Sequence, residues 1–177
     1  MTHICPDILT KTFQEHAISL KSTRLVVNEW RTTFESWFRV ELVQAMIDGS
    51  MIDPRDVVYN FVYLMDRTKK VDICLRRQIA FELKCFCCNA DANKKQSFPN
   101  QIKLLEDHVA GGQLVQGICF LTLQGYSFDQ QKSLVDRLFF SRPHWKVMPP
   151  LALLNSNKFF VQIAEYHASA VKLEKID

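Results

Sequence analysis

Asp72, Glu82 and Lys84 are the residues of this chain whose types and spacing could do chemistry together. They stand in the run VDICLRRQIAFELK, with Glu and Lys separated by one residue. Side chains along a strand alternate between faces. Val71, Ile73 and Leu75 are therefore expected on one face of a first strand, with Asp72 and Cys74 on the other. In a second strand Ile79, Phe81, Leu83 and Cys85 take one face, and Ala80, Glu82, Lys84 and Phe86 the other. A hairpin must keep both apolar sets on one side, because a slip of one residue turns a whole set over. That requires Leu75 opposite Ile79, Ile73 opposite Phe81 and Val71 opposite Leu83, with the turn at Arg76-Arg77-Gln78. Asp72 then lies directly opposite Glu82, with Cβ atoms about 4.5–5.5 Å apart. Two carboxylates so placed repel unless a cation lies between them. Hard oxygen donors on a strand pair suit Mg²⁺ or Mn²⁺ completed by waters and phosphates. Lys84, one step along on the same face, could hold a phosphate or polarise an attacking water. The plain alternative is a solvated sheet face carrying one Glu–Lys pair. Against it, Phe86 and Cys88 continue that face with apolar groups.

A further acid comes from a helix. The run STRLVVNEWRTTFESWFRVELVQAMI, Ser22 to Ile47, has apolar residues three and four apart and neither Gly nor Pro. Phe34, Trp37, Phe38 and Ala45 place Glu41 within the apolar stripe, where an acid is costly unless paired or metal-bound. Its bland use is at the stripe's edge or against a buried Arg.

The remaining elements position these residues. Residues 1–20 carry a weak helical pattern. DGSMIDPRD breaks the first long helix, and VVYNFVYLM is a short strand or buried segment. The strands at Lys70–Leu75 and Ile79–Cys87 precede a polar loop, NADANKKQSFPN. A short helix, QIKLLEDHVA, follows with Asn100 as its N-cap and Gly111-Gly112 at its end. LVQGICFLTLQ is a buried strand. SFDQQKSLVDRLFF is an amphipathic helix capped by Ser127, SRPHWKVMPP an irregular loop and KFFVQIAEYHA a late strand. The order describes an α/β plan: a mixed sheet covered by helices.

With 177 residues the chain is expected to form a single domain with a sizeable core. Its net charge of +3 permits a polyanionic partner without demanding one. No apolar run is long enough to span a bilayer, and MTHICPDILT has no signal-peptide pattern, so the expected location is cytoplasmic. The six cysteines, Cys5, Cys74, Cys85, Cys87, Cys88 and Cys119, match no zinc spacing. They read as reduced thiols packed as small hydrophobes. A cysteine-based metal or redox site at Cys85, Cys87 and Cys88 is the competing use. His16, His108 and His167 have no partner legible in the sequence.

Asp72 followed by Glu82-Leu83-Lys84, with Glu41 in the preceding helix, resembles the PD-(D/E)xK nuclease superfamily. The resemblance spans Arg24 to Gln124. Val71 stands where the family name has proline. The resemblance implies a restriction-endonuclease-like, three-layer α/β/α core, about residues 24–140, around a central mixed sheet. It implies that Asp72, Glu82 and the Leu83 carbonyl ligate Mg²⁺, with Mn²⁺ as a substitute. Lys84 would orient the attacking water and Glu41 support the metal. The implied reaction is hydrolysis of a DNA phosphodiester, with RNA left open, by an enzyme that often works as a homodimer. Lys69, Lys70, Arg76, Arg77, Lys94, Lys95 and Lys103 are the expected phosphate contacts, each equally at home as a solvated charge. Arg142, His144, Trp145 and Lys146 could meet a base, though packing against the domain is the simpler use. A non-catalytic nucleic-acid-binding or assembly protein on the same fold is the alternative of a different class.

Overall fold

The uninterrupted apolar run of the sequence becomes the middle of the sheet. Strand β4 (Gln116–Gln124) is buried along all but its last residue, as a strand covered on both faces must be. In a computed structural model of the chain, residues 4–19, 34–62, 70–87, 92–152 and 159–167 are described. Around β4 stand α1 (Pro6–Ser19), α2 (Phe34–Asp48), β1 (Val57–Val62), β2 (Lys70–Leu75), β3 (Ile79–Cys87) and α3 (Ala92–Ala110). After it come α4 (Phe128–Phe139), β5 (Trp145–Val147), β6 (Leu151–Ala152) and β7 (Phe159–His167).

Among the described residues the sheet has seven strands, in the path β1-β2-β3-β4-β7-β5, with β6 also on β7. Only β3 and β4 run parallel among these pairs, and α3 makes the connection that parallel neighbours need. Helices cover both faces. On one, Leu9 and Phe13 of α1 and Phe38, Leu42 and Met46 of α2 pack on Ile73, Phe81, Leu83, Phe120 and Ile163. Phe13, Phe38 and Phe120 meet there with ring centroids 4.9–5.5 Å apart. On the other, Phe98, Ile102 and Leu105 of α3 and Leu134 and Leu138 of α4 pack on Cys74, Ala80, Phe86, Cys119 and Leu121. The protein is thus an α/β fold with a mixed sheet, as its sequence predicts. Among the described residues no helix is long and apolar enough to cross a membrane.

Several local expectations hold. Ser127 accepts from the Gln130 amide, and the Gln130 side chain accepts from the Ser127 amide, a reciprocal cap on α4. Gly112 takes φ +75° to end α3.

Others change. The polar stretch read as a loop is the first half of α3, which starts at Ala92, passes through Pro99 and does not begin at Asn100. Phe98 is fully buried, with its ring 5.7 Å from that of Phe86, so packing outweighs the local cost of proline and the polar composition. The loop SRPHWKVMPP contains β5, pinned by antiparallel pairing to β7. Val71 joins the α3-side core rather than the side of Ile73 and Leu75. The predicted long helix is described only from Phe34, because residues 20–33 lie outside the described residues.

Candidate active site

The hairpin that carries the motif is closed by a strained turn. Arg76 and Arg77 both take positive φ, 49° and 56°, and the Gln78 amide donates to the Leu75 carbonyl at 2.9 Å. Two successive left-handed residues match the twist of a hairpin, at about 1–2 kcal/mol each for residues with a Cβ. Asp56 offsets this. Its carbonyl accepts from the Arg76 amide at 2.9 Å, and its carboxylate takes the Arg76 Nε at 2.7 Å. The resulting register pairs Leu75 with Ile79, Cys74 with Ala80 and Ile73 with Phe81, as the alternation of apolar residues requires.

The pairing then stops, one step short of Asp72 and Glu82. Here the structure corrects the sequence reading, which continued the ladder through both acids. Asp72 turns its carboxylate into the opening. Oδ2 accepts the Leu83 backbone N–H at 2.8 Å, and Oδ1 accepts Arg39 Nη2 from α2 at 2.7 Å. Both side chains are largely buried, Arg39 with 20% exposure and Asp72 with 15%. Opening the strands separates two like charges and gives one of them a cation and an amide, which lowers the cost of its burial. The donor to Asp72 is the peptide that joins Glu82 to Leu83, so Asp72 meets the Glu-x-Lys segment at its backbone.

Glu82 is 5% exposed. Strand alternation sends it to the α3 side with Ala80 and Phe86, in register with Cys119. Burial, then the Glu82 charge, hold the Cys119 thiol well above its ordinary pKa. Lys84 is half-buried on the same strand, in register with Leu121. Glu41 is half-buried beside the α2 stripe of Phe38, Leu42, Ala45 and Met46, at its edge rather than within it. The structure therefore brings Asp72, Arg39 and the Glu82–Leu83 peptide into contact. Glu82 and Lys84 leave the same segment toward α3.

Sequence reasoning missed Arg39. It searched α2 for acids, and the available signal was an Arg next to Phe38, flanking the apolar stripe of the helix expected to cover the motif.

A carboxylate is the kind of ligand that suits a hard divalent cation, but the Asp72 oxygens here accept from a guanidinium and a backbone N–H. Each Asp72 oxygen accepts one hydrogen bond in these contacts and retains a lone pair. Among the described residues no three His, Cys, Asp or Glu side chains are grouped as a metal site. The contacts bring one acid rather than a set of ligands together, and Arg39 stands at the carboxylate oxygen that a divalent ion would approach.

Among the described side chains the expected phosphate contacts do not converge. Arg76 is paired with Asp56, and Arg77 is exposed in the turn beyond Leu75, which itself lies about 10 Å along the strand from Asp72 at a rise of roughly 3.3 Å per residue. Lys103 is exposed on α3. Lys69 lies outside the described residues, as do the side chains of Lys70, Lys94 and Lys95.

The Arg142–Lys146 loop is packed. Glu106 on α3 accepts Arg142 Nη1 at 2.5 Å and Trp145 Nε1 at 2.7 Å. The Trp145 ring is buried between Phe139 and Tyr166. His108 is buried with its Nδ1 against Gln113 Oε1. Cys74 and Cys119 belong to one core layer and Cys85 to the other, all as free thiols. Burial pushes Cys74 up to about 11, which disfavours the thiolate that metal binding or redox chemistry uses. Cys87 and Cys88 lie outside the side chains described.

Comparison with protein-family models, curated proteins and solved structures returned no match.

Proposed function

We propose that the chain is a Mg²⁺-dependent nuclease of the PD-(D/E)xK kind, acting on DNA phosphodiesters through Asp72, Glu82 and Lys84. The observation that carries the reading is the opening of the β2–β3 ladder at the motif, where Asp72 is held against the Glu82–Leu83 peptide. A sheet that breaks its own pairing to seat a largely buried acid forgoes ladder hydrogen bonds, and functional sites are where such breaks collect. The element order adds support: a helix, three antiparallel strands, a helix and a strand parallel to the third.

In this reading Asp72, the Leu83 carbonyl and Glu41 of α2 would hold the ion, and Glu82, which leaves the segment toward α3, would have to turn to join them. The ion would supply a water of lowered pKa and charge stabilisation on the phosphoryl oxygens. Lys84 would orient the attacking water and offset the charge developing on the scissile phosphate. Exposed Arg77 and Lys103 contribute to phosphate contacts farther along the duplex. A homodimer would give one such site per strand.

The Asp72–Arg39 pair favours a second reading, a nucleic-acid-binding or assembly protein in which the acid has become structural. The deciding assay is cleavage of supercoiled plasmid and single-stranded DNA with Mg²⁺, Mn²⁺ or EDTA, by wild type and Lys84→Ala. Metal-dependent nicking that disappears in the variant supports the nuclease. Binding of DNA with no cleavage by either protein supports the second reading.

A further inference from the structure

The α2-side core is open at the turn end of the β2–β3 hairpin. A cavity of about 490 Å³ lies there, between the end of α2, the segment leading into β1, and the turn. Its floor is apolar. Met51, Leu75 and Ile79 belong to the core, and Ile47 and Ile52 pack half-buried against it. Its charged lining is Asp53, Asp56 and Arg76. An apolar bed of this size with a few charged groups is the make-up of a small-molecule site.

The charged groups are not equivalent. Asp53 is taken up by Arg55, accepting its backbone N–H, Nε and Nη2 at 2.6–2.9 Å. Asp56 and Arg76 form an ion pair through Oδ2 and Nε at 2.7 Å. A guanidinium carries five N–H donors and a carboxylate about four acceptor sites, so that contact leaves donors on one and acceptors on the other. The Asp56 carbonyl also accepts the Arg76 amide at 2.9 Å, which fixes the two residues relative to each other before any ligand arrives. Two of the three described non-glycine residues with positive φ, Ser50 at 53° and Arg76 at 49°, line this cavity. Glycine would hold either position at lower cost, and side chains kept in such conformations collect where ligands bind.

We propose that this cavity binds a free α-amino acid with an apolar side chain. The side chain lies on the floor of Met51, Leu75 and Ile79. The ammonium donates to the Asp56 carboxylate, and the ligand carboxylate accepts from Arg76. An anion alone would meet the Asp56 charge and a cation alone the Arg76 charge, whereas a zwitterion satisfies both. The site lies at the opposite end of the hairpin from the Asp72–Leu83 contact and does not depend on the nuclease reading.

The experiment is isothermal titration calorimetry of the purified full chain with L-leucine, L-phenylalanine, glycine, L-leucinamide and N-acetyl-L-leucine. Methyl NMR of the isoleucines locates the bound ligand. Leucine or phenylalanine is expected to bind and to shift the Ile47, Ile52 and Ile79 methyl signals. Glycine, which lacks the apolar group, should bind about tenfold more weakly or less. So should leucinamide, which lacks the carboxylate, and N-acetyl-leucine, which lacks the ammonium. Arg76→Gln should weaken the better ligand by about tenfold or more. Arg77→Gln, in the same turn but outside the lining, should leave it unchanged. If Arg76→Gln does not fold, Ile52→Trp fills the floor while keeping the ion pair, and is expected to abolish binding. Equal binding of leucine, leucinamide and N-acetyl-leucine overturns the proposal in favour of a plain apolar slot. It is also overturned by no binding of leucine or phenylalanine up to about 10 mM, by shifts confined to other isoleucines, or by full affinity in a folded Arg76→Gln or Ile52→Trp.

Discussion

Two carboxylates in this molecule are each held by an arginine and a second N–H donor, at almost the same burial. Asp72 has Arg39 and the Leu83 backbone amide. Glu106 has Arg142 and the indole of Trp145. The ion pairs resemble each other, and the second donors separate them. At Glu106 the donor is a side chain whose ring fills the core, so the acid fastens the Arg142–Trp145 loop onto α3. At Asp72 the donor is a backbone amide of the neighbouring strand, two positions past Phe81, where the β2–β3 pairing ends. One acid closes structure and the other stands where structure has been opened. An ion pair by itself therefore says little about purpose, and what its remaining lone pairs and donors do says more.

Function should respond to one site and stability to the other. Asp72→Asn and Lys84→Ala are each expected to lower metal-dependent plasmid cleavage by about 10²–10³-fold, the scale of losing one preorganised electrostatic group. Asp72→Asn should cost about 1 kcal/mol in urea unfolding, less than full removal, because one amide oxygen still accepts while the amide NH2 faces the other of the two donors. Glu106→Ala reverses the pattern. It leaves Arg142 with the Pro99 carbonyl but no carboxylate and strands the Trp145 indole N–H, and should destabilise by about 2 kcal/mol, discounted for partial exposure. Its cleavage rate under folding conditions should match wild type. Equal loss of activity in the Asp72 and Glu106 variants would erase the distinction.

The dry layer on the α3 side offers a pH test. The Cys74 thiol is raised from 9.0 to about 11 by burial. Its neutral form is favoured in the fold, so its contribution is fully present below pH 9. Between pH 9 and about 11 the unfolded chain ionises first and that contribution is lost. Wild type should therefore lose more stability between pH 8.5 and 10.5 than Cys74→Ala does, by at most about 2 kcal/mol. A parallel decline in both proteins would show that Cys74 does not contribute.

The smallest expected effect lies at the other end of the hairpin. Arg77→Gly removes the Cβ from a left-handed position and should raise stability by up to about 1 kcal/mol. Under the nuclease reading it should also weaken DNA binding modestly and reduce its dependence on salt. Chemical denaturation and a salt titration of binding would measure the two changes.

How much of this was legible in the sequence follows from which forces act locally. The β2–β3 register was, because strict alternation in Ile73, Leu75, Ile79 and Phe81 leaves one pairing that buries both sets. The α4 cap was, because Ser127 and Gln130 need only each other. The first half of α3 was not, since Asn, Lys, Ser and Pro99 point to a loop and only the distant contact of Phe98 with Phe86 outweighs them. The end of the ladder at Asp72 was not legible for a similar reason. Repulsion between two acids was readable, but its relief by Arg39 depends on a helix residue remote in the chain. Cys74 and Cys119 were correctly read as packed thiols, since small apolar side chains within strands need no special partner.

The start of the chain is clipped onto strands made much later. The Ile4 amide donates to Gln116 Oε1 at 2.9 Å, the Ile4 carbonyl accepts from Gln116 Nε2 at 2.8 Å, and Gln116 also donates to Glu165 at 2.9 Å. Glu165 lies on β7, the last strand described. During synthesis at roughly 5–20 residues per second, the first segment thus waits on the order of ten seconds or more for its docking partners to emerge from the ribosome. Until then the layer that Phe13 and Phe38 later fill is open on the nascent chain. The fully docked α1–sheet layer is in this sense a late product of translation, available only once β7 has been made.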